Sequence, residues 1–527
     1  MMSRLTCHPQ VKPEASTLEG PGSLKSSVTP LCRGSRQMNS KTKGAWMLKS
    51  MALLFLFTLP LYAESSVAHT YFQPRSQSMY GTLMHDAPRL QFAPKTGEGA
   101  PLFSLSHTFF HHRATGTQHL VPYFFGDKKR TLSIDESEGG DINPNWLDIR
   151  GPDGTPYIST LKMSPERVVW GTIMSMTQSL PVLHEGAWLR LTVPLCKVRH
   201  DLRMTESVKA GSTVGAGFAN VADSMDSLNL RGCRINKEPL TLWGVDDILL
   251  QAGVTVRTND DGGNIQWYGE LAIPTGERPS GTYLFEPVQG SAGHAGAGFG
   301  MRSVMPLAVG DNTTFSFCSH LHYRAMFSAT QWRTPDFKGH QFSRYLVFMD
   351  SAQGGDSNFA SKAARGANFF TREMLVSPGG QGQSMQGFLL SFGRQRQHSL
   401  LCSYTYWWRM AEQLTFKRAA DRTFATPKYA GIDTAQQWVP SPLINEKYVT
   451  TDSSLTEDLA VVYDNEFDMS SAAAPQTASH LLQLGYQAAL TGDRCRFNIQ
   501  LSGQYELAEN RAMVDAWAVW GRLSMQW

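Results

Sequence analysis

The sequence predicts an all-β chain, a transmembrane antiparallel up-and-down β-barrel of about 12 strands, with a range of roughly 10 to 16. Three observations predict it. Segments of about ten residues alternate apolar and polar side chains with period two, the pattern of strands with one apolar face. No run of eighteen or more apolar residues occurs, and a mean hydropathy of −0.28 excludes a bundle of membrane helices. The connections sort into short turns and long loops that alternate along the chain, as membrane barrels require.

Composition agrees with this reading. A strand facing lipid needs only every second residue apolar, so a 41% apolar chain can still cross a membrane. The 46 glycines, 13 tryptophans, 16 tyrosines and 27 phenylalanines suit turns and aromatic girdles. Net charge is +3, and no cluster of lysine and arginine interleaves with aromatics, so nucleic acid is not an expected partner.

The domain division is 1-63 leader and signal, 64-101 N-terminal segment, and 102-527 barrel. Lys41, Lys43 and Lys49 precede the apolar run Met51 to Leu61, which closes at Leu61-Tyr62-Ala63 with Glu64 following. This is the form of a secretory signal peptide cleaved after Ala63, with Ala68 as the alternative site. Met1 to Gln37 lie upstream of the signal, and Met38 or Met47 is the more natural start. Cys7 and Cys32 fall in the leader. Cys196, Cys233, Cys318, Cys402 and Cys495 are scattered with no C-x-x-C spacing, and no metal or cofactor is expected.

After the signal, Tyr71-Phe72-Gln73-Pro74-Arg75-Ser76-Gln77 opens a polar stretch reaching Pro101. It resembles the start of a poorly characterised group of bacterial outer-membrane proteins that open with an aromatic-x-Pro-Arg-Ser-Gln segment. The stretch reads as a periplasmic tail, with a lumenal plug as the alternative. The first strand is expected near Leu102 to Phe110. Val168 to Leu180 and Ala187 to Leu195 form a hairpin about the turn Pro181 to Gly186. Lys197 to Gly244 reads as a long loop with little regular structure. Ile248 to Val256 and Ile265 to Ile273 flank Asp260-Asp261-Gly262-Gly263.

Pro274 to Gly293 is the next long connection, and its Pro274-Thr275-Gly276 start looks like loops of porin-like uptake channels for hydrophobic compounds. Ala295 to Val304 and Thr313 to Ala325 flank a turn at Pro306 to Asn312. Met326 to Gln383 is long, with one ambiguous apolar run at Tyr345 to Met349. Ser384 to Phe392 and Ser399 to Met410 flank Gly393 to His398. Ala411 to Thr477 is the longest loop, with a small helix expected over Ser453 to Tyr463. Leu482 to Leu490 and Cys495 to Glu506 flank Thr491-Gly492-Asp493.

Arg511 to Trp527 is the last strand. Trp517, Val519, Leu523, Met525 and Trp527 share one face, and the strand resembles the closing strand of bacterial outer-membrane β-barrels, whose terminal aromatic is recognised by the barrel assembly machinery. That resemblance implies an outer membrane location of the Gram-negative type, after secretion to the periplasm, with outer-membrane lipid and the assembly machinery as partners. It puts the short turns at Pro181, Asp260, Pro306, Gly393 and Thr491 in the periplasm and the long loops outside.

The faces opposite the apolar stripes carry Arg190, Arg257, Arg302, Arg324, Arg409, Arg494, Arg496 and Arg522 against Glu270 and Glu506. Arginine keeps its charge and forks onto carboxylate or phosphate, so such a lumen favours anions. The expected function is a porin-like channel passing small solutes without covalent chemistry. The alternatives are a surface-interaction or structural outer-membrane protein with an occluded lumen, and a lipid hydrolase.

Twelve strands also resemble outer-membrane phospholipase. Within Cys318-Ser319-His320-Leu321-His322, however, alternation puts Ser319 on the face opposite His320 and His322, which does not suit a nucleophile and its base. Gly296-Ala297-Gly298-Phe299-Gly300 lies in a strand and is no phosphate loop. His111 and His112 point opposite ways, which disfavours a metal site. Asp246-Asp247 and Asp260-Asp261 read as turn residues.

Overall fold

The protein was analysed as a computed structural model. It describes residues 66–79 and 103–527, apart from 116, 136–139, 148, 151–155, 210–215, 219, 227–229, 258–262, 350–362, 395, 418–422, 427–430, 433–437, 440–459, 464–465 and 493–494. The leader and its cleavage position, residues 80–101, Asp260-Asp261 and Arg494 therefore lie outside the described residues.

Twelve antiparallel strands close on themselves. They are β1 (Phe103–Ala114), β2 (Glu166–Ser179), β3 (Ala187–Asp201), β4 in two segments (Leu240–Val245 and Ile248–Arg257), β5 (Asn264–Ile273), β6 (Gly296–Val309), β7 (Thr313–Met326), β8 (Gly380–Phe392), β9 (His398–Arg409), β10 (Thr477–Thr491), β11 (Arg496–Ala508) and β12 (Ala516–Gln526). Both segments of β4 pair with β3, the first opposite Leu195–His200 and the second opposite Ala187–Thr192. The ring closes between β1 and β12, in register from Ser104↔Gln526 to Ala114↔Ala516. At this seam Phe103 and Trp527 exchange two backbone hydrogen bonds of 3.1 Å and bring their rings to 4.6 Å.

Closure leaves the barrel sheet without a free edge, which is what a bilayer demands of strands. Alternation then splits the side chains. Leu105, Phe109, Met174, Trp267, Phe299, Phe388, Leu400, Leu484, Leu501 and Leu523 all stand exposed on the outer face. An apolar belt running round a whole barrel suits lipid and would be a liability in water. The inner face is polar and buried: Ser104, Ser106, Thr108, Ser316, Gln383, Ser403, Gln487, Gln500 and Ser502 are examples.

All five hairpin turns of the barrel lie at one end, and the long connections fold together at the other into a cap. Its centre is the helix Leu120–Phe125, all of whose residues are buried. Leu132, Ile134, Leu161, Val221, Phe285 and Tyr345 join it in one apolar cluster. Small sheets frame the cap, Thr131–Ile134 with Ser159–Lys162 and Thr205–Val208, and Ala329–Arg333 with Arg372–Ser377 and Gln413–Phe416.

Several sequence expectations need correction. Lys197 to Gly244 is not a plain loop: β3 runs on to Asp201, Thr205–Val208 is a strand, Val221–Met225 a helix capped by the Asn220 side chain, and Leu240–Val245 the first half of β4. Pro306 does not begin a turn. It sits in β6 at a register shift between Pro306 and Ala308, where the missing N–H of proline is tolerated, and the turn is confined to 310–312. Within the segment expected to be helical, Ala460–Tyr463 is a strand paired with Thr423–Thr426, and 453–459 lie outside the described residues. In the ambiguous run, Val347–Met349 pairs with Ala363–Arg365.

Candidate functional site

The lumen holds part of the chain's own N-terminal segment. Ala68 to Met79, a plug in position, are all buried. His69 stacks on Tyr123 of the cap helix at 4.4 Å. Further along, Met79 packs with Phe110, Ile173, Trp407 and Trp520 of the barrel wall. Between these ends Phe72 joins the cap's apolar cluster, Tyr71 packs with Val288, Ala292 and Ala474, and residues 73–77 make polar contacts.

Arg75 is the centre of the plug. Its guanidinium lies 3.5 Å from Glu506, donates to Gln383 Oε1 at 3.0 Å and sits over the Trp407 ring at 5.4 Å. Arg75 and Glu506 are both fully buried, so neither charge is stable there without the other. Ser479 also donates to Glu506, at 2.5 Å. Two and four residues earlier, Arg409 donates to the Gln73 carbonyl at 2.7 Å, and Arg333 lies over the Tyr71 ring.

A second anchor is the break in β4. Asp246 and Asp247 follow one another, yet both are buried, because the extra residue of a bulge turns two consecutive side chains inward. Asp246 accepts from Ser76 Oγ at 2.7 Å and from the Gln77 N–H at 2.8 Å. Asp247 accepts from Ser291 Oγ at 2.6 Å and from the Ser291 N–H at 3.1 Å. Ser291 belongs to the 274–295 loop. Gly290 beside it has φ +60°, and a Cβ there would come within 2.5 Å of Asp247 Oδ1, so the loop can enter only with glycine at that position. One pair of carboxylates thus fastens both the plug and an inward loop. The expectation that Asp246-Asp247 are turn residues is corrected.

A third cluster lines the wall beside this anchor. Glu270 accepts from Arg324 at 2.6 and 2.8 Å, from Gln251 at 2.6 Å and from His322 Nε2 at 3.1 Å. The Tyr268 phenol meets His320 Nε2 at 2.7 Å, and Arg302 lies over the Tyr268 ring at 4.4 Å. Gly300 makes room for this ring, since a Cβ there would stand 2.3 Å from it. Ser319 is on the other face, its Oγ 2.8 Å from Ser303 Oγ, so serine and histidine do not converge.

Of the residues expected to line the lumen, Arg190, Glu270, Arg302, Arg324, Arg409, Glu506 and Arg522 are buried on the inner face, and Arg496 is half-buried there. Arg190 donates to Thr177 at 3.1 Å and lies over Trp188. For Arg257 the backbone pairs with Asn264 and the side chain lies outside the described residues. The structure brings Arg324 to Glu270. It brings Glu506 to the plug's Arg75. Trp517, Val519, Leu523, Met525 and Trp527 share the outer face of β12, where Val519, Leu523 and Trp527 are exposed.

Arg75, Ser76, Gln77, Asp246, Asp247 and Ser291 were not among the expected site residues. A signal for the aspartates exists. Val245 and Ile248 are three apart rather than two, a slip of phase that marks a bulge.

No protein-family model and no curated protein matches the chain. Among solved structures it is similar to an outer membrane channel from Pseudomonas putida F1, at 10% identity over 82% of this chain and 99% of that one, with a TM-score of 0.36. It is also similar to a Pseudomonas aeruginosa FadL homologue, at 7% identity over 89% and 98%, with a TM-score of 0.29. The CymD monoaromatic hydrocarbon channel is similar at 8% identity over 89% and 98%, with a TM-score of 0.26. The barrel itself rests on the closed strand pairing of this chain.

Proposed function

We propose that the protein is an outer-membrane channel for small polar solutes, held closed by its own N-terminal segment. The observation that carries this reading is the character of the plug's contacts. Gln73, Arg75, Ser76 and Gln77 meet the wall through hydrogen bonds and one ion pair, and water or a polar solute can replace such contacts at small net cost. In this reading the same chain is secreted through its Met51 to Ala63 signal.

On the inner face, arginines 190, 302, 324, 409, 496 and 522 outnumber Glu270, Glu506, Asp246 and Asp247, which supports a modest preference for anions. The two aspartates make it weaker than alternation alone suggested. A second reading, a surface-interaction protein with an occluded lumen, draws support from the cap closed over the plug.

Conductance in planar bilayers separates them. The intact chain is expected to open rarely, and a variant lacking residues 67–79 to conduct steadily, with a reversal potential in a salt gradient on the anion side. If the deletion variant inserts and still never conducts, the channel reading fails and the occluded one stands.

A further inference from the structure

A charged assembly interrupts the apolar belt of the outer face. It lies at the cap end of β1, β2 and β3. Glu166 of β2 is buried there beneath three guanidiniums. Arg113 of β1 donates to it through Nε at 3.1 Å and Nη2 at 2.6 Å, Arg199 of β3 lies 3.5 Å away, and Arg203 also pairs with it. Asp201 accepts from Arg199 at 3.1 Å and lies 3.6 Å from Arg203 Nε. The burial is lopsided: the Glu166 side chain is 7% exposed, and those of Arg113, Arg199 and Arg203 are 50%, 40% and 48% exposed. The carboxylate is the hidden organiser, and the surface presented outward is cationic.

Depth along the barrel is set by register. Lys197 stands opposite both Trp170 and Trp243, with its ammonium 5.5 and 5.9 Å from their rings. Trp170 and Trp243 are exposed. Exposed tryptophans on a barrel mark the height where hydrocarbon gives way to headgroups. Arg199 is two residues beyond Lys197, about 7 Å nearer the cap. The guanidiniums therefore stand at headgroup height. Four cations (113, 197, 199, 203) against two carboxylates (166, 201) leave a local charge of +2.

We infer that this patch is a binding site for a phosphorylated lipid headgroup of the external leaflet, the phosphorylated diglucosamine of lipopolysaccharide. Fixed guanidiniums match phosphate bidentately, and Glu166 fixes three of them without covering them. The inference rests on the outer-membrane location proposed above, which turns the cap end outward.

The test uses the full-length protein in detergent with three probes: bisphosphorylated lipid A, the same lipid stripped of both phosphates, and phosphatidylglycerol, with binding read by native mass spectrometry. Bisphosphorylated lipid A should bind best and lose affinity on moving from 0.1 to 1 M salt. A variant carrying R113Q, R199Q and R203Q would strand Glu166, so E166Q is added. This removes a net two charges and should weaken binding about thirty-fold. Lys197→Gln leaves the Glu166 network intact and should weaken it about five-fold. Heat-modified gel mobility reports whether each variant is a folded barrel. Equal binding of the stripped lipid, equal binding of phosphatidylglycerol, or unchanged binding by folded variants each overturns the inference. Failure of the wild-type chain to insert into bilayers overturns the location reading instead.

Discussion

The cap and the plug are both buried, and they are buried by different physics. The cap closes on apolar side chains: Leu120, Phe124, Phe125, Ile134, Leu161 and Phe285 exclude water and need no partner of opposite charge. From Gln73 to Gln77 the plug closes on Arg75–Glu506, Ser76–Asp246, Gln77–Asp246 and Arg409–Gln73, contacts that exchange one hydrogen bond for another, while its Ala68 and Phe72 belong to the cap's apolar cluster. Burying apolar area contributes about 25 cal/mol per Å², whereas a hydrogen bond contributes about 1 kcal/mol net. The difference teaches which part moves. The cap, with Ala68 and Phe72 packed into it, is the fixed frame, and the polar stretch 73–78 is the element that can leave with the frame intact.

The largest test of this contrast strikes the frame. Phe124 is fully buried and packs edge-on to Phe285, with ring centroids 5.5 Å apart. Phe124→Ala should cost the cap about 4 kcal/mol through lost transfer and a residual cavity. Proteolysis of the long loops during a thermal ramp should show it, with the barrel's heat-modified gel mobility unchanged. Loss of the barrel shift together with the loops would mean that cap and barrel are one cooperative unit.

Next in size is the plug's ion pair. Glu506→Gln leaves the Arg75 guanidinium buried without its counter-charge, and docking of 67–79 should weaken by about 3 kcal/mol. Hydrogen exchange of those amides should accelerate by about a hundred-fold, while exchange in Leu120–Phe125 stays as it was. Equal acceleration in both would erase the distinction drawn between them.

Acid probes the hinge where the two regions meet. Burial holds His69 down at about 4, from an ordinary 6.5, so it is neutral when docked. Above pH 6.5 the docked and released states bind the same number of protons, and the contact is at full strength. As pH falls from 6.5 towards 4, the released histidine takes up a proton that the docked one refuses, and docking weakens by about 1.4 kcal/mol per pH unit. By pH 5 the loss should reach about 2 kcal/mol. Exchange at residues 67–79 across that range checks the sign, and His69→Phe, which keeps the stacking on Tyr123, should flatten the profile.

Much of the barrel was legible because period two is a local property. The strand from Phe497 to Tyr505 and the closing face of Trp517 to Trp527 are set by neighbouring residues alone. The cap was not legible, because Leu120, Val221, Phe285 and Tyr345 come from different loops and meet only in three dimensions. The inner arginines could be assigned to a face, but their partners could not: Glu506 is 431 residues from Arg75. Asp246 and Asp247 resemble turn residues in sequence, and only the pairing of β3 with both halves of β4 shows that the strand continues through them.

The smallest test asks whether the plug is held by one latch or by many weak contacts. Ser76 donates to Asp246 Oδ1, and Gln77 keeps the other carboxylate oxygen through its backbone N–H. Ser76→Ala therefore removes one of the plug's two hydrogen bonds to Asp246 and should weaken docking by about 1 kcal/mol. Asp246 also receives its backbone environment from β4, so the bulge itself should persist. If Ser76→Ala and Glu506→Gln act independently, their effects on exchange at 67–79 should add. If the plug is one cooperative latch, the double variant should cost less than the sum, since releasing Arg75 already releases Ser76. Additivity thus decides whether the plug leaves the lumen stepwise from the Asp246 end or as a single piece.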